Sequence, residues 1–172
     1  MIPDDSFRTK IEKLNQWMRR GIAPEQAYLA VSARDDFWRD IPKPLFILEY
    51  YALMMAFGCI LWEAYCRDMK ISAESGQKAL FRSVFREFSS QKVMNTAQAF
   101  SAYLHAEGTD NESVAVISLM QVFFKRIGWE SLLNPDRGKE SIPPAVQNIV
   151  MLLEGFKNTW QEEAQTIFSE GP

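Results

Sequence analysis

The chain has 172 residues, of which 47% are hydrophobic, 13% aromatic and 24% charged, with a formal net charge of −3. Such a length fits one domain that buries roughly 70% of its extended-chain surface, and such a composition excludes a disordered or fibrous chain. Two cysteines make no disulfide framework, and the opening MIPDDSFRTK carries acids where a secretory signal needs a basic stretch and then an apolar one, so a reducing, cytoplasmic setting is expected.

The charge is uneven along the chain. Residues 1–40 carry 7 basic and 7 acidic side chains, residues 41–92 carry 7 and 5, and residues 93–172 carry 5 and 10, which leaves the last part at −5. This is not the basic footprint of a nucleic-acid binder. It favours a protein partner with a basic surface.

Nearly every segment has helical period, and none alternates with period 2 between hairpin turns, so the fold is expected to be all-α. Phe7, Ile11, Leu14 and Met18 mark a first helix that Gly21 ends, and Pro24 opens a second carrying Ala27, Tyr28 and Val31. DDFWRDIPKP at 35–44 interrupts the pattern, because its two prolines cannot both lie inside a helix. A long helix follows from about Leu45 to Met69. Ser72 or Ser75 can cap a further helix with Leu80, Phe81, Val84, Phe85 and Phe88 on one side, and another spans about 90–107 with Ala97, Phe100 and Leu104 inward. After the turn residues GTDN comes a helix at about 112–127 closed by Gly128, with one further turn from Trp129 to Leu133. The polar stretch NPDRGKESIPP then leads to a final helix from about Pro144 to Phe168. No repeat, low-complexity tract or linker divides the chain, so a single-domain bundle of six to seven helices is expected around central helices 45–69 and 112–127.

Residues 45–66, LFILEYYALMMAFGCILWEAYC, hold two formal charges, Glu49 and Glu63. A membrane span needs about 20 predominantly apolar residues, and only the 13 residues 50–62 are free of charge here. A core helix is the better reading, and no membrane association is expected. The two carboxylates fall on one face but lie roughly 21 Å apart along a helix, too far to act as a catalytic pair. Glu63 is suited to an i,i+4 pair with Arg67. Cys59 and Cys66 are about 10.5 Å apart on the same helix, too far for a disulfide or a shared zinc, and read as core residues. On the last helix Lys157 falls within the apolar stripe of Val146, Leu153, Trp160 and Ala164; it either snorkels to water or pairs with a carboxylate of the central helix.

Catalytic signatures are scarce. The chain has one histidine, His105, and no CxxC, HExxH, P-loop or GxGxxG pattern. HAE at 105–107 is half of a zinc deaminase signature without its cysteine half, and a di-iron bundle would need a second histidine. Ser101 and His105 are i,i+4, yet a nucleophilic site would need an orienting acid from elsewhere. No cofactor is therefore expected.

The candidate partner-binding residues are Asp136, Arg137, Lys139 and Glu140 in the polar loop, Glu162 and Glu163 on the last helix, and Phe37 with Trp38 in the interruption. For the loop a plain connector, and for the aromatic pair packing against the bundle, are the competing readings. Lys78, Arg82 and Arg86 form an i,i+4,i+8 basic stripe, either a solvated face or a contact for an acidic partner or anion. The whole reads as a non-enzymatic protein-binding domain, an inhibitor, an immunity-type protein that neutralises a toxin, or an adaptor. The alternatives are a ligand-binding or enzymatic bundle whose pocket uses Lys157 with Glu49 or Glu63, and a domain that forms homo-oligomers through its aromatic surplus.

Overall fold

A computed structural model describes residues 5–70, 94–104, 112–133 and 142–169. Among these residues the structure is all-α, with helices α1 (Asp5–Gly21), α2 (Pro24–Arg34), α3 (Lys43–Asp68), α4 (Met94–Leu104), α5 (Glu112–Arg126) and α6 (Pro144–Ser169). Two 3-10 turns, Asp36–Asp40 and Glu130–Leu133, complete it. The helix expected from Ser72 or Ser75 to Phe88, with Lys78, Arg82 and Arg86, lies outside the described residues, as do His105 and the loop residues Asp136, Arg137, Lys139 and Glu140.

The helix ends follow local chemistry. Gly21 closes α1 and Pro24 occupies the start of α2, where a missing N–H costs nothing. The proline pair resolves by position: Pro42 is the N-cap of α3, and Pro44 lies in its first turn. Between α2 and α3, Asp35 caps the 3-10 turn by accepting a 3.0 Å hydrogen bond from the Phe37 N–H. The Arg39 Nε–H donates to the Ser32 carbonyl at 3.1 Å, and the Tyr28 hydroxyl to the Ile41 carbonyl at 3.3 Å. These bonds fasten the turn to α2.

α3 is the spine, packed against α1, α2, α4, α5 and α6. Its aromatic contacts gather mainly at two levels roughly 24 Å apart along the axis, with Phe57 meeting Phe156 in between. At the first, Phe46 lies among Tyr28, Trp38, Tyr50 and Phe123. At the second, Trp62 and Tyr65 meet Phe7, Trp160 and Phe168. Between them α1 lays Met18 against the spine at Gly58, where a Cβ would stand 2.9 Å from the Met18 methyl. Leu14, Met18, Leu53, Met55, Phe100, Phe123 and Ile149 fill the interior at 0% exposure. The indole N–H groups of Trp38, Trp62 and Trp160 are buried without an acceptor among the described residues, a cost carried by the apolar area these rings remove from water.

α3 is long and apolar enough to cross a membrane by length and composition, but 78% of its most apolar window is buried inside the chain. Cys59 and Cys66 are buried free thiols. Burial, and then the charge of Glu63, push the Cys66 thiol up to about 12, so it stays protonated and packs as a small apolar group.

Candidate functional site

The most polar place in the interior is built on Glu49, one turn after Phe46 on α3. Glu49 is 1% exposed, yet its carboxylate is fully engaged. Arg126, at the end of α5, donates from Nε to Oε2 at 2.6 Å and from Nη2 to Oε1 at 2.8 Å. Tyr103 of α4 donates its hydroxyl to Oε2 at 3.0 Å. The side-on, two-pronged guanidinium contact is the geometry that makes an arginine–carboxylate pair strong.

Each partner carries the mark of this arrangement. Donating to the Glu49 carboxylate holds the Arg126 guanidinium even more firmly protonated than usual. Burial first, and then the Glu49 charge, drive the Tyr103 phenol well above its ordinary value, which keeps it a donor. Lys157, the cation expected to meet a carboxylate of the central helix, is half-buried on α6, but Glu49 is taken by Arg126 and Tyr103. The pocket imagined around Lys157 and Glu49 is therefore replaced, at Glu49, by a closed ion pair that no dissolved substrate reaches.

Arg126 is the one member of this cluster with access to water, its side chain being 35% exposed. Three residues on stands Trp129, 40% exposed, and its position is set by the way α5 ends. Gly128 takes a left-handed φ of 88°, the Gly128 N–H bonds the Lys125 carbonyl at 3.0 Å, and the Trp129 N–H bonds the Phe124 carbonyl at 2.7 Å. This pair of bonds is the Schellman ending that glycine favours. The Trp129 ring then meets Phe37 edge to face, with centroids 4.9 Å apart and planes at 70°.

Phe37 is half-buried, as a surface anchor would be, whereas Trp38 is not at the surface at all. Trp38 has 0% exposure and packs on Phe46 at 5.5 Å and Phe124 at 6.1 Å. Its expected role as a partner-binding residue is corrected: in a 3-10 turn, side chains three apart fall on one side, which sends Trp38 and Ile41 inward together. The aromatic that takes its place at the surface is Trp129, which sequence reading assigned only to a short turn. The Gly128–Trp129 step was the signal available for it.

The remaining predicted residues lie elsewhere. Glu162 is exposed on α6. Glu163 lines a cleft of about 560 Å³ between α1 and α6 together with Lys13, Gln16, Trp17 and Arg20, so its charge stands among cations of the same chain. Among the described residues no group of three or more His, Cys, Asp or Glu side chains is placed to hold a metal ion. No protein-family model matches the chain, and no curated protein and no solved structure is similar to it.

Proposed function

We propose that the chain is a non-enzymatic protein-binding domain that meets its partner through Arg126, Trp129 and Phe37. The scaffold in this reading is a single-domain, cytoplasmic bundle of six to seven helices, and the role is that of an inhibitor, an immunity-type protein or an adaptor. The supporting observation is that a tryptophan and an arginine, the residue types most enriched among interface hot spots, stand three positions apart at the surface. Both are held from beneath, Arg126 by Glu49 and Trp129 by the helix ending and Phe37. Groups already fixed in place lose little freedom on binding. Glu162 and the loop residues Asp136 and Glu140 would add the negative field that steers a basic partner toward the chain.

The test is capture from the native host with the tagged chain and with Trp129→Ala. One stoichiometric partner held by the wild type and bound about 30-fold more weakly by the variant, or more weakly still, is the expected outcome for a hot-spot residue. No stoichiometric partner, or capture that ignores the substitution, overturns the reading. A second reading, a ligand-binding bundle, draws support from the α1–α6 cleft, whose size lies within the range of small-molecule sites. It would use Trp17, Lys13 and Arg20 rather than Glu49, Glu63 or Lys157.

A further inference from the structure

We infer that the cleft between α1 and α6 binds a small organic anion with an apolar, ring-bearing body. The inference rests on the ligand-binding reading above and adds the chemistry of the ligand; it uses none of Arg126, Trp129 and Phe37. One wall is a stripe of α1, Lys13, Gln16, Trp17, Arg20 and Gly21, whose spacing puts them on one helix face. Opposite stand Glu163, Thr166 and Ile167 of α6. Ile167, 5% exposed, gives the cleft an apolar floor. Trp17 is half-buried and its ring packs on Phe156, with centroids 5.9 Å apart. Gly21 leaves one edge of that ring uncovered: a Cβ there would stand 3.8 Å from the ring atom Cζ2, so a longer side chain would lie where the body of a ligand can stack. Its φ is not left-handed, so a larger residue fits the backbone without strain.

The charges that line the cleft leave one cation in excess, Lys13 and Arg20 against Glu163. The same excess holds over the two helices whole. α1 carries Arg8, Lys10, Lys13, Arg19 and Arg20 against Asp5 and Glu12, and α6 carries Lys157 against Glu154, Glu162 and Glu163. Lys13 is engaged within the chain, whereas Arg20 has no ion pair among the described residues. Arg20 follows Trp17 by three residues, a rise of roughly 4.5 Å, so one small molecule can set an anionic group on the guanidinium and its body on the indole. A guanidinium binds a carboxylate or phosphate through paired, charge-assisted hydrogen bonds. A cationic ligand would meet repulsion from Lys13 and Arg20, and a neutral one would gain only the apolar contact.

The test uses the full chain labelled with nitrogen-15, whose five tryptophans give separate indole N–H signals; Trp17→Phe assigns the one that matters. Naphthalenecarboxylate, naphthalenemethanol, naphthalenemethylammonium and acetate are titrated in separately. The Trp17 signal is expected to move saturably with naphthalenecarboxylate, at about millimolar concentration or below, more weakly with the alcohol, and not with the ammonium compound or acetate. Arg20→Gln is expected to bind the carboxylate about three- to tenfold more weakly, and Glu163→Gln no more weakly than the wild type. Gly21→Leu is expected to lose the carboxylate while melting no lower than the wild type, which separates a filled cleft from a damaged fold. If the alcohol or the ammonium compound binds as tightly as the carboxylate, or Glu163→Gln weakens binding, the inference fails and the ligand-binding reading stands. If no probe moves the Trp17 signal, or both Arg20→Gln and Gly21→Leu bind as the wild type does, the inference and that reading fail together. The protein-binding reading is judged separately, by Trp129→Ala.

Discussion

A carboxylate at 1% exposure is tolerable only while every donor that reaches it stays in place, because a buried charge left without its partner costs far more than the pair contributes. Glu49→Gln keeps the shape but removes the charge that Arg126 and Tyr103 answer. It is expected to lower the unfolding free energy by about 3 kcal/mol, the low end for a broken buried pair, because Arg126 can still reach water. Replacing the whole cluster, Glu49→Leu with Tyr103→Phe and Arg126→Met, leaves nothing unsatisfied and should return to within about 1–2 kcal/mol of the wild type. Urea unfolding of the two variants side by side checks both values, and a triple variant no better than Glu49→Gln would show that attraction outweighs desolvation here.

At the scale of elements, the endings decide what the faces present. Gly128, with its φ of 88°, lets α5 stop where Trp129 can turn back on Phe37. Gly128→Ala should cost about 1 kcal/mol and about 2–4 °C in melting temperature, with Gly128→Asn recovering part of the loss, since asparagine tolerates this backbone region better. Scanning calorimetry of the two variants is the measurement. These endings were legible in advance, because Gly21, Pro24, Gly128 and Pro144 act through their own backbones and need no neighbour to be known. The partner of Glu49 was not, since periodicity orders the faces of one helix but says nothing of which face of another turns toward it; Lys157 had the right stripe, and Arg126 had the right place. Tyr103 could have been read from its spacing of three after Phe100. Trp38 sits among charges in the sequence, and its neighbours alone do not show that a turn of three residues sends it inward.

For the molecule as a whole, α3 is apolar enough for a bilayer, yet it is wrapped by five other helices and carries Glu49 in a closed ion pair. Full-length protein is expected in the supernatant of lysed cells without detergent; material released from washed membranes only by detergent would contradict this packing.

The Glu49 cluster also sets a clock. Its hydrogen bonds join residues 54 and 77 positions apart in the chain, so they close long loops and give nothing back until α3, α4 and α5 have all docked. Contacts that need three helices in place are expected to be incomplete at the folding barrier, and weakening such contacts speeds escape from the native state without slowing its formation. In stopped-flow measurements Glu49→Gln should therefore steepen unfolding by most of its equilibrium effect and leave the refolding rate nearly unchanged. A carboxylate hidden from every ligand would then act as the catch that determines how long this bundle, once closed, stays closed.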